Sequence, residues 1–372
     1  MKIWVYSKES TLEVRDELMF PVVTSADCLR HEPLGEIWLG TATPGTEVAE
    51  RATVIRSALE GAGHSIVDAA AHDDDAITAV HDPELVEYLR TAWTSWEAAG
   101  HPGRDGANRV VPYLFPLPGL TEGLPVRTPT APHARAGIYC YDTMTLIGPG
   151  TWEAARAAVD CTLTAVDLVS AGASGAYALT RPPGHHVTRT VFGGSCYLNN
   201  AAIAAQSLRD RGATRVAVID IDAHHANGTQ SIFYSRDDVF VTSLHIDPAA
   251  GWFPHHAGFA DEVGIGQGRA ANLNIPLAEG TGDEGWLAAL ARMVETTAAF
   301  NPDAVVVSLG VDAAADDPES PLRVTAAGYR AAGALIAELD RPTVAVQEGG
   351  YHLPTLGHLV AATLGGLAGT GR

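Results

Sequence analysis

The sequence predicts an α/β protein with a central, mostly parallel sheet that helices cover on both faces. Three observations support this: continuous apolar runs of strand length recur, helical patterns separate the later ones, and polar residues gather where the runs end. Strands that are apolar throughout, rather than at every second residue, are buried on both faces, which is typical of parallel sheets with crossover helices. The 372 residues, 46% of them apolar, suffice for one large domain or two smaller ones.

The predicted elements follow one another in this alternation. Strands are expected at KIWVYS near the start, AYALT (176–180), RVAVIDI (215–221), DVFVTSLHI (238–246), ANLNIPL (271–277), DAVVVSLG (303–310) and PTVAVQ (342–347). The first clear helix is HDPELVEYLRTAWTSW, where Asp82 can cap, Pro83 suits the first turn and apolar residues recur on one side. Further helices are expected over 151–169, 201–211, 286–300 and 326–339.

One long segment, His101–Gly137, interrupts the alternation. It is rich in Pro, Gly and Arg and contains the aperiodic apolar stretch VVPYLFPLPGL. Connections of this length usually make contacts or serve a function, although a disordered linker between two domains is the alternative. Its apolar residues favour a contact-forming loop.

Composition excludes several classes of function. The net charge of −20 disfavours nucleic acid as a partner, because phosphate binding needs a basic face, and no run of about 20 apolar residues predicts a membrane span. The four cysteines form no CxxC pair, and the apolar run at the start is too short for a signal peptide. We therefore expect a cytoplasmic protein with free thiols.

Residues suited to chemistry follow four predicted strands. They are RPPGHH (181–186), DIDAHHANG (220–228), Asp312 and EGGY (348–351). Ligands of open parallel sheets bind outside the carboxyl ends of the strands, so these residues are expected to meet at one site. Ionised carboxylates at the end of a buried strand are costly unless something compensates their charge.

A metal ion would provide that compensation. Asp222 and His224 alternate at the end of a strand and can face one point, and Asp312 would complete three protein ligands. Three ligands and an open position form the arrangement of catalytic Zn²⁺. The alternative for each aspartate alone is a helix cap. Near this set, Asp220 can orient one of the pair His185 and His186, and Asn227 the other. Tyr351 follows a Gly-Gly turn, where its hydroxyl can serve an oxyanion; a buried core tyrosine is the alternative.

These motifs resemble those of the zinc-dependent deacetylase family, which comprises histone deacetylases and, more similar to this chain, bacterial acetylpolyamine amidohydrolases. The matching text is RPPGHH, FGGSCYLNNAAIAAQ, DIDAHHANGTQ, TSLHIDP, SLGVDAAADDP and QEGGY. The resemblance covers nearly the whole chain. It implies one catalytic domain over residues 1–372 with the arginase/deacetylase-type three-layer fold.

The resemblance also implies roles for individual residues. Zinc, with Fe²⁺ as the alternative, would be bound by Asp222, His224 and Asp312. His186 would be the general base and acid with Asn227 as its partner, His185 would pair with Asp220, and Tyr351 would bind the substrate carbonyl. The residues implied in a structural potassium site are Asp220, Asp222, His224, Ser243 and Leu244. The residues expected at the substrate are Gly194, Ser195, Trp252, Phe253 and Gly349.

Three features separate this chain from its relatives. Ser195 stands where the family carries an aromatic wall of the acyl tunnel, so we expect a bulkier or more polar acyl group or linker, drift being the alternative. His133 and Met144 fall where acetylpolyamine enzymes place acids at the tunnel mouth, which weakens the polyamine assignment. Ala226 and Gly310 replace the extra carboxylates that a two-manganese, arginase-like site needs, which argues against that chemistry.

The function expected from these residues is metal-dependent removal of an acetyl or other acyl group from an amine of a small molecule. Deacylation of acyl-lysine in proteins is one alternative, and a metal-holding binding protein without turnover is another. Because the family's long loop mediates dimerisation and narrows the entrance, we expect His101–Gly137 to make a homodimer contact.

Overall fold

The computed structural model describes residues 19–101, 109–125 and 127–369. The described strands are β1 (Val22–Thr24), β2 (Glu36–Trp38), β3 (Thr41–Thr43), β4 (Ile66–Asp68), β5 (Gly175–Ala178), β6 (Val216–Asp220), β7 (Val239–Ile246), β8 (Asn272–Leu277), β9 (Ala304–Leu309) and β10 (Thr343–Gln347). Eight of them form one parallel sheet in the order β4-β1-β5-β10-β9-β6-β7-β8, and β2 and β3 form a separate antiparallel hairpin. The predicted mostly parallel sheet is confirmed.

Helices connect the strands of the sheet. They are α1 (Glu50–Ala62), α2 (Asp75–Val80), α3 (Pro83–Ala98), α4 (Pro118–Thr121), α5 (Pro132–Tyr139), α6 (Thr151–Ser170), α7 (Asn200–Asp210), α8 (Asn227–Phe233), α9 (Asp283–Phe300), α10 (Ala326–Ala337) and α11 (Leu353–Leu367), with short 3₁₀ turns at Ala26–Leu29, Pro248–Ala250 and Gly266–Gly268. The predicted cap at Asp82 is observed, since its side chain accepts a backbone N–H group at the start of α3, and Asn199 caps α7 in the same way.

The core lies on both faces of the sheet. Along β6, Val216 and Val218 pack into one apolar cluster, whereas Ile219 packs into the other. Neighbouring side chains of a strand point to opposite faces, so a strand covered on both sides must be apolar at every position. This explains the continuous apolar runs from which the fold class was predicted.

Some predictions fall outside the described residues or were incomplete. The expected strand KIWVYS lies outside them, and the first described strand is β1, which joins β4 to β5 in the sheet. In the segment 101–137, residues 102–108 and 126 also lie outside, while the described parts contain α4 and most of α5. Across the described ranges, no helix combines the length and apolarity needed to cross a membrane.

Candidate metal-dependent active site

The site lies at the carboxyl ends of four strands that are neighbours in the sheet, in the order β5, β10, β9, β6. The loop after β5 carries the histidine pair, and the turn after β6 carries Asp222 and His224. Asp312 follows β9, and the Gly-Gly turn after β10 leads to Tyr351. The sequence predicted that these four strand ends meet, and the sheet order places them side by side.

Asp222, His224 and Asp312 form a compact cluster whose potential ligand atoms all lie within 4.8 Å of one another. Nδ1 of His224 is 3.2 Å from Oδ1 of Asp222 and 3.1 Å from Oδ2 of Asp312. Both carboxylates are buried. Two buried acids and an imidazole that converge in this way fit the donor set of a divalent metal ion, whose charge would offset the cost of burying both carboxylates.

The pKa values in this cluster reflect two acids that cannot both be ionised cheaply. Burial and the neighbouring Asp222 raise the pKa of Asp312 to about 7. Burial alone would raise the pKa of Asp222 as well, but His185 and His224 hold it below its ordinary value. The pKa values of the two adjacent carboxylates are therefore split, one raised and one lowered. Such a split indicates that the protein's own groups supply too little positive charge for both acids to be ionised.

Two glycines make room for the cluster. A Cβ atom at Gly310 would lie 2.0 Å from Oδ2 of Asp222, and one at Gly349 would lie 2.2 Å from Oδ2 of Asp312. The backbone N–H of Gly349 donates to Oδ2 of Asp222 at 2.8 Å. Gly310 is the position at which the sequence lacks an extra carboxylate, and here any side chain would collide with the cluster.

The two adjacent histidines have different partners. Nδ1 of His185 lies 3.0 Å from Oδ2 of Asp220, and Nδ1 of His186 lies 2.7 Å from Oδ1 of Asn227. Burial alone would lower the pKa of His185, but Asp222 and Asp220 raise it to about 10. Burial holds the pKa of His186 well below its ordinary value. The neighbouring carboxylates therefore favour the charged form of the first histidine, and burial favours the neutral form of the second.

Tyr351 is fixed by residues on two other elements. Its backbone N–H donates to Oδ2 of Asp317 at 2.7 Å, and the guanidinium of Arg51 lies 4.7 Å from the centre of its ring. Arg51 also donates to the carbonyls of Glu348, at 2.5 Å, and Gly350, at 2.7 Å. The arginine therefore supports the whole turn that leads to the tyrosine.

Sequence reasoning missed three of these supporting residues. Arg51 lies in α1, far from every motif, and nothing in its surroundings marks it. Asp317 belongs to the quoted text DAAADDP and was not singled out. Glu348 was noted only as part of a strand end, but its buried carboxylate accepts the backbone N–H groups of Gly184, at 2.7 Å, and His185, at 3.1 Å. Burial raises its pKa to about 7.

A cavity of about 500 Å³, which we call the active-site cavity, opens over this site. His186, His224 and Tyr351 line it, together with the predicted substrate residues Gly194, Ser195, Trp252 and Phe253. The ring centroids of Phe253 and His186 are 4.7 Å apart. Gly349, also predicted at the substrate, instead lies against the acid cluster. Ser195 contributes only a small side chain to the lining.

The acids that line the active-site cavity belong to segments that were not predicted to contribute to the site. Met144 lines the cavity, and Asp142 holds the wall by accepting the backbone N–H groups of Gly194, at 2.6 Å, and Thr145, at 2.8 Å. The acids that line the cavity are Glu36 of the β2–β3 hairpin and Glu319, which follows Asp317. Burial and the charge of Glu319 raise the pKa of Glu36 to about 7.

The residues predicted for a potassium site lie where β6 ends beside Ser243 and Leu244 of β7. Asp220 pairs with Ser243 in the register of these strands, and Asp220, Asp222, Ser243 and Leu244 are buried. His224, the fifth, is half-buried and faces the active-site cavity.

Comparisons with known proteins agree with this geometry. Residues 45–367 match the model of the histone deacetylase domain. The chain is 41% identical to acetylpolyamine amidohydrolase of Mycoplana ramosa over 94% of its own length and 99% of that protein. It is 39% identical to acetylpolyamine amidohydrolase 1 of Pseudomonas aeruginosa, with the same coverage of both chains. The crystal structure of an acetylpolyamine aminohydrolase from Burkholderia pseudomallei superposes with a TM-score of 0.87 at 37% identity, covering 93% of this chain and 98% of that one.

Proposed function

The chain belongs to the histone deacetylase domain family, and we propose that it is a metal-dependent amidohydrolase that removes an acetyl or other acyl group from an amine of a small molecule. One observation carries this proposal: His186, His224 and Tyr351 line a single cavity beside the buried acid cluster. A candidate base, a candidate metal ligand and a hydroxyl donor therefore face the same bound molecule, which is what amide hydrolysis requires.

Asp222, His224 and Asp312 are the residues that would hold the metal, which we propose to be Zn²⁺ with Fe²⁺ as the alternative. Such a metal supplies a Lewis acid that polarises the substrate carbonyl and makes water acidic enough to react near neutral pH. Gly310 and Gly349 keep the space around the two carboxylates free. His185, whose Nδ1 lies 3.0 Å from Oδ2 of Asp220, has its Nε2 3.8 Å from Oδ1 of Asp222.

His186 is proposed as the general base and acid. The side-chain oxygen of Asn227 can only accept, so Nδ1 of His186 carries the hydrogen of their 2.7 Å bond and Nε2 is the basic nitrogen. A neutral imidazole can take a proton from the attacking water and then deliver it to the leaving amine. The low pKa of His186, caused by burial, favours the neutral form that this role needs.

Tyr351 is proposed as the hydrogen-bond donor to the oxygen of the substrate carbonyl. Burial raises the pKa of its hydroxyl, so the proton stays available for donation. The ring contact with Arg51 and the backbone bond to Asp317 fix the side chain in advance of the reaction. A donor that needs no rearrangement stabilises developing negative charge most effectively.

The carboxylates of Glu36 and Glu319 favour a substrate amine that carries a further positive charge. Both line the active-site cavity, and Thr46 donates to Glu319 from the same wall. They supply carboxylates to the cavity, whereas His133 and Met144 stand at the two positions where acids were expected. A cationic chain, such as that of an acetylated polyamine, would find its counter-charge here rather than at those two positions.

Two further features are proposed for the folded protein. Exposed apolar side chains on the long loop favour a homodimer: they are Tyr113, Leu114, Leu117, Leu120 and Leu124. Light scattering at micromolar concentration tests this, and a monomeric mass would contradict it.

A structural potassium ion near Asp220 and Ser243 would raise the melting temperature in K⁺ relative to a choline salt of equal ionic strength.

The activity is tested by measuring free-amine release by the zinc-loaded protein. The panel holds an acetylated diamine, small amines with larger acyl groups and an acetylated protein, and Tyr351→Phe is the matched variant. Turnover of small amides that falls at least about a hundred-fold in the variant supports the proposal. Turnover of the protein substrate alone would favour the acyl-lysine alternative, and no turnover of any amide would contradict both.

A further inference from the structure

A second cavity, of about 410 Å³, adjoins the active-site cavity at the β2–β3 hairpin, and we call it the side cavity. The two cavities share Trp38, Met144 and Phe253 in their walls. A substrate group that extends from the active-site cavity past these side chains would lie in the side cavity.

Strand alternation in the hairpin divides the two cavities. Glu36 lines the active-site cavity, whereas Ile37 and Leu39 line the side cavity. The hairpin is held against the segment after α5, because the N–H of Ile37 donates to the carbonyl of Thr143 at 3.2 Å and the Thr143 hydroxyl donates to the carbonyl of Ile37 at 2.8 Å. The wall between the cavities is thus a hydrogen-bonded part of the fold.

The side cavity presents mainly apolar and aromatic surface. Its apolar walls are Ile37, Trp38, Leu39, Phe115, Met144, Phe253 and Pro254. Two polar lining groups are already engaged: the hydroxyl of Tyr141 donates to the carbonyl of His186 at 3.1 Å, and the carboxylate of Asp142 accepts backbone N–H groups. Exposed His255 and His256 complete the wall.

The chemistry of the two cavities therefore differs. Among the described residues that line the side cavity, Asp142 is the sole carboxylate, and its oxygens are occupied. The active-site cavity instead offers Glu36 and Glu319 to an ammonium group. A charged group is better placed in the active-site cavity, and an apolar group is better placed in the side cavity.

We propose that the side cavity is a substrate subsite that binds an apolar, preferably aromatic, group attached to the acylated amine. This rests on the proposed function. Its occupant is part of the substrate, because the cavity shares three lining side chains with the active-site cavity and is large enough for a ring. The enzyme thereby prefers acylated amines with an aryl or bulky alkyl end over plain alkyl amides.

The test compares three series of N-acetyl amines with three to six methylene groups, ending in methyl, phenyl or ammonium. For the best chain length, kcat/KM of the phenyl compound is expected to exceed that of the methyl compound about ten-fold, from burial of the ring. Leu39→Ser and Phe115→Ser should each reduce this phenyl-to-methyl ratio roughly five-fold. Leu39 is 86% exposed, so its variant should fold even if the other does not.

Ile265→Ser is the matched control, because Ile265 is also an exposed apolar residue and lines neither cavity. It should leave the phenyl-to-methyl ratio unchanged. The proposal is overturned by a phenyl-to-methyl ratio near one or by a ratio that Leu39→Ser leaves intact. It is also overturned if the mass of a dimer falls in Leu39→Ser while the phenyl group gives no gain, because a second copy of the chain would then cover the side cavity. Turnover of the methyl series alone would still support the proposed function, so the two can fail separately.

Discussion

Nδ1 of His186 lies 2.7 Å from the side-chain oxygen of Asn227. The adjacent His185 instead faces the carboxylate of Asp220 at 3.0 Å. A carboxylate stabilises imidazolium, whereas a neutral amide fixes one tautomer without adding charge. The two neighbouring histidines thus have partners of different charge, which favours the imidazolium form of His185 and fixes one neutral tautomer of His186.

Exchanging that functional group should change the pH dependence of the reaction. In Asn227→Asp the new carboxylate raises the pKa of His186, so the base is protonated at higher pH than in the wild type. The acidic limb of the kcat/KM profile should move upward by roughly one pH unit or more. Asn301→Asp, an exposed asparagine at the end of α9, is the control and should leave the limb in place. An unmoved limb in Asn227→Asp would argue against His186 as the base.

Gly310→Ala should abolish metal binding, because its Cβ would lie 2.0 Å from Oδ2 of Asp222 and displace that carboxylate. Metal content by plasma mass spectrometry is expected to fall from about one ion per chain to near zero. Gly61→Ala serves as the control, since a Cβ at Gly61 in α1 meets nothing within 4 Å. Full metal occupancy in Gly310→Ala would show that the ion is held elsewhere.

Glu36 should make the preference for cationic substrates depend on pH. Its pKa of about 7 means that the side chain is neutral below that pH and negative above it. The ratio of kcat/KM for an ammonium-ended amide to that for a methyl-ended amide should therefore rise roughly five-fold between pH 6 and 8. Glu36→Gln should flatten this rise. Glu338→Gln, which replaces an exposed acid after α10, is the control and should not flatten it. An equal rise in all three proteins would exclude Glu36 as the cause.

Ser195→Tyr should narrow the active-site cavity opposite Phe253. The added ring would favour acetyl over larger acyl groups, so the ratio of kcat/KM for acetyl to that for a bulkier acyl amide is expected to rise about ten-fold. Ser195→Ala, which adds no volume, is the control. If the tyrosine variant keeps the wild-type ratio, the serine reflects drift rather than a change of acyl group.

The sequence predicted the catalytic edge of the sheet well, for a physical reason. Asp222, Asp312 and Tyr351 each follow a long apolar strand, and parallel strands bring their carboxyl ends to one edge regardless of their order. The strands β6 to β10 and their helices could likewise be found from apolar runs, since β6, β7, β9 and β10 are buried at every residue.

The remaining parts of the fold and of the site depend on contacts between distant segments, which no local sequence pattern predicts. β1 to β4 have three residues each, too few for a periodicity to emerge. Glu36 lies in the cavity wall because its hairpin is held by Thr143. Arg51 contacts Tyr351, and its bond to Gly350 spans 299 positions of sequence. We propose that these residues shape specificity and position the tyrosine, which is why the reaction class was more predictable than the substrate.

Metal-dependent hydrolysis by the cluster of Asp222, His224 and Asp312 is the central claim, and one measurement tests it most directly. Metal-stripped wild type and Asp312→Ala are titrated with Zn²⁺ while amine release from an N-acetylated diamine is recorded. Wild-type activity is expected to rise to a plateau near one equivalent of Zn²⁺, and Asp312→Ala is expected to remain at least about a hundred-fold slower throughout. Equal activity of the stripped protein, or recovery of the variant to the wild-type plateau, would contradict it.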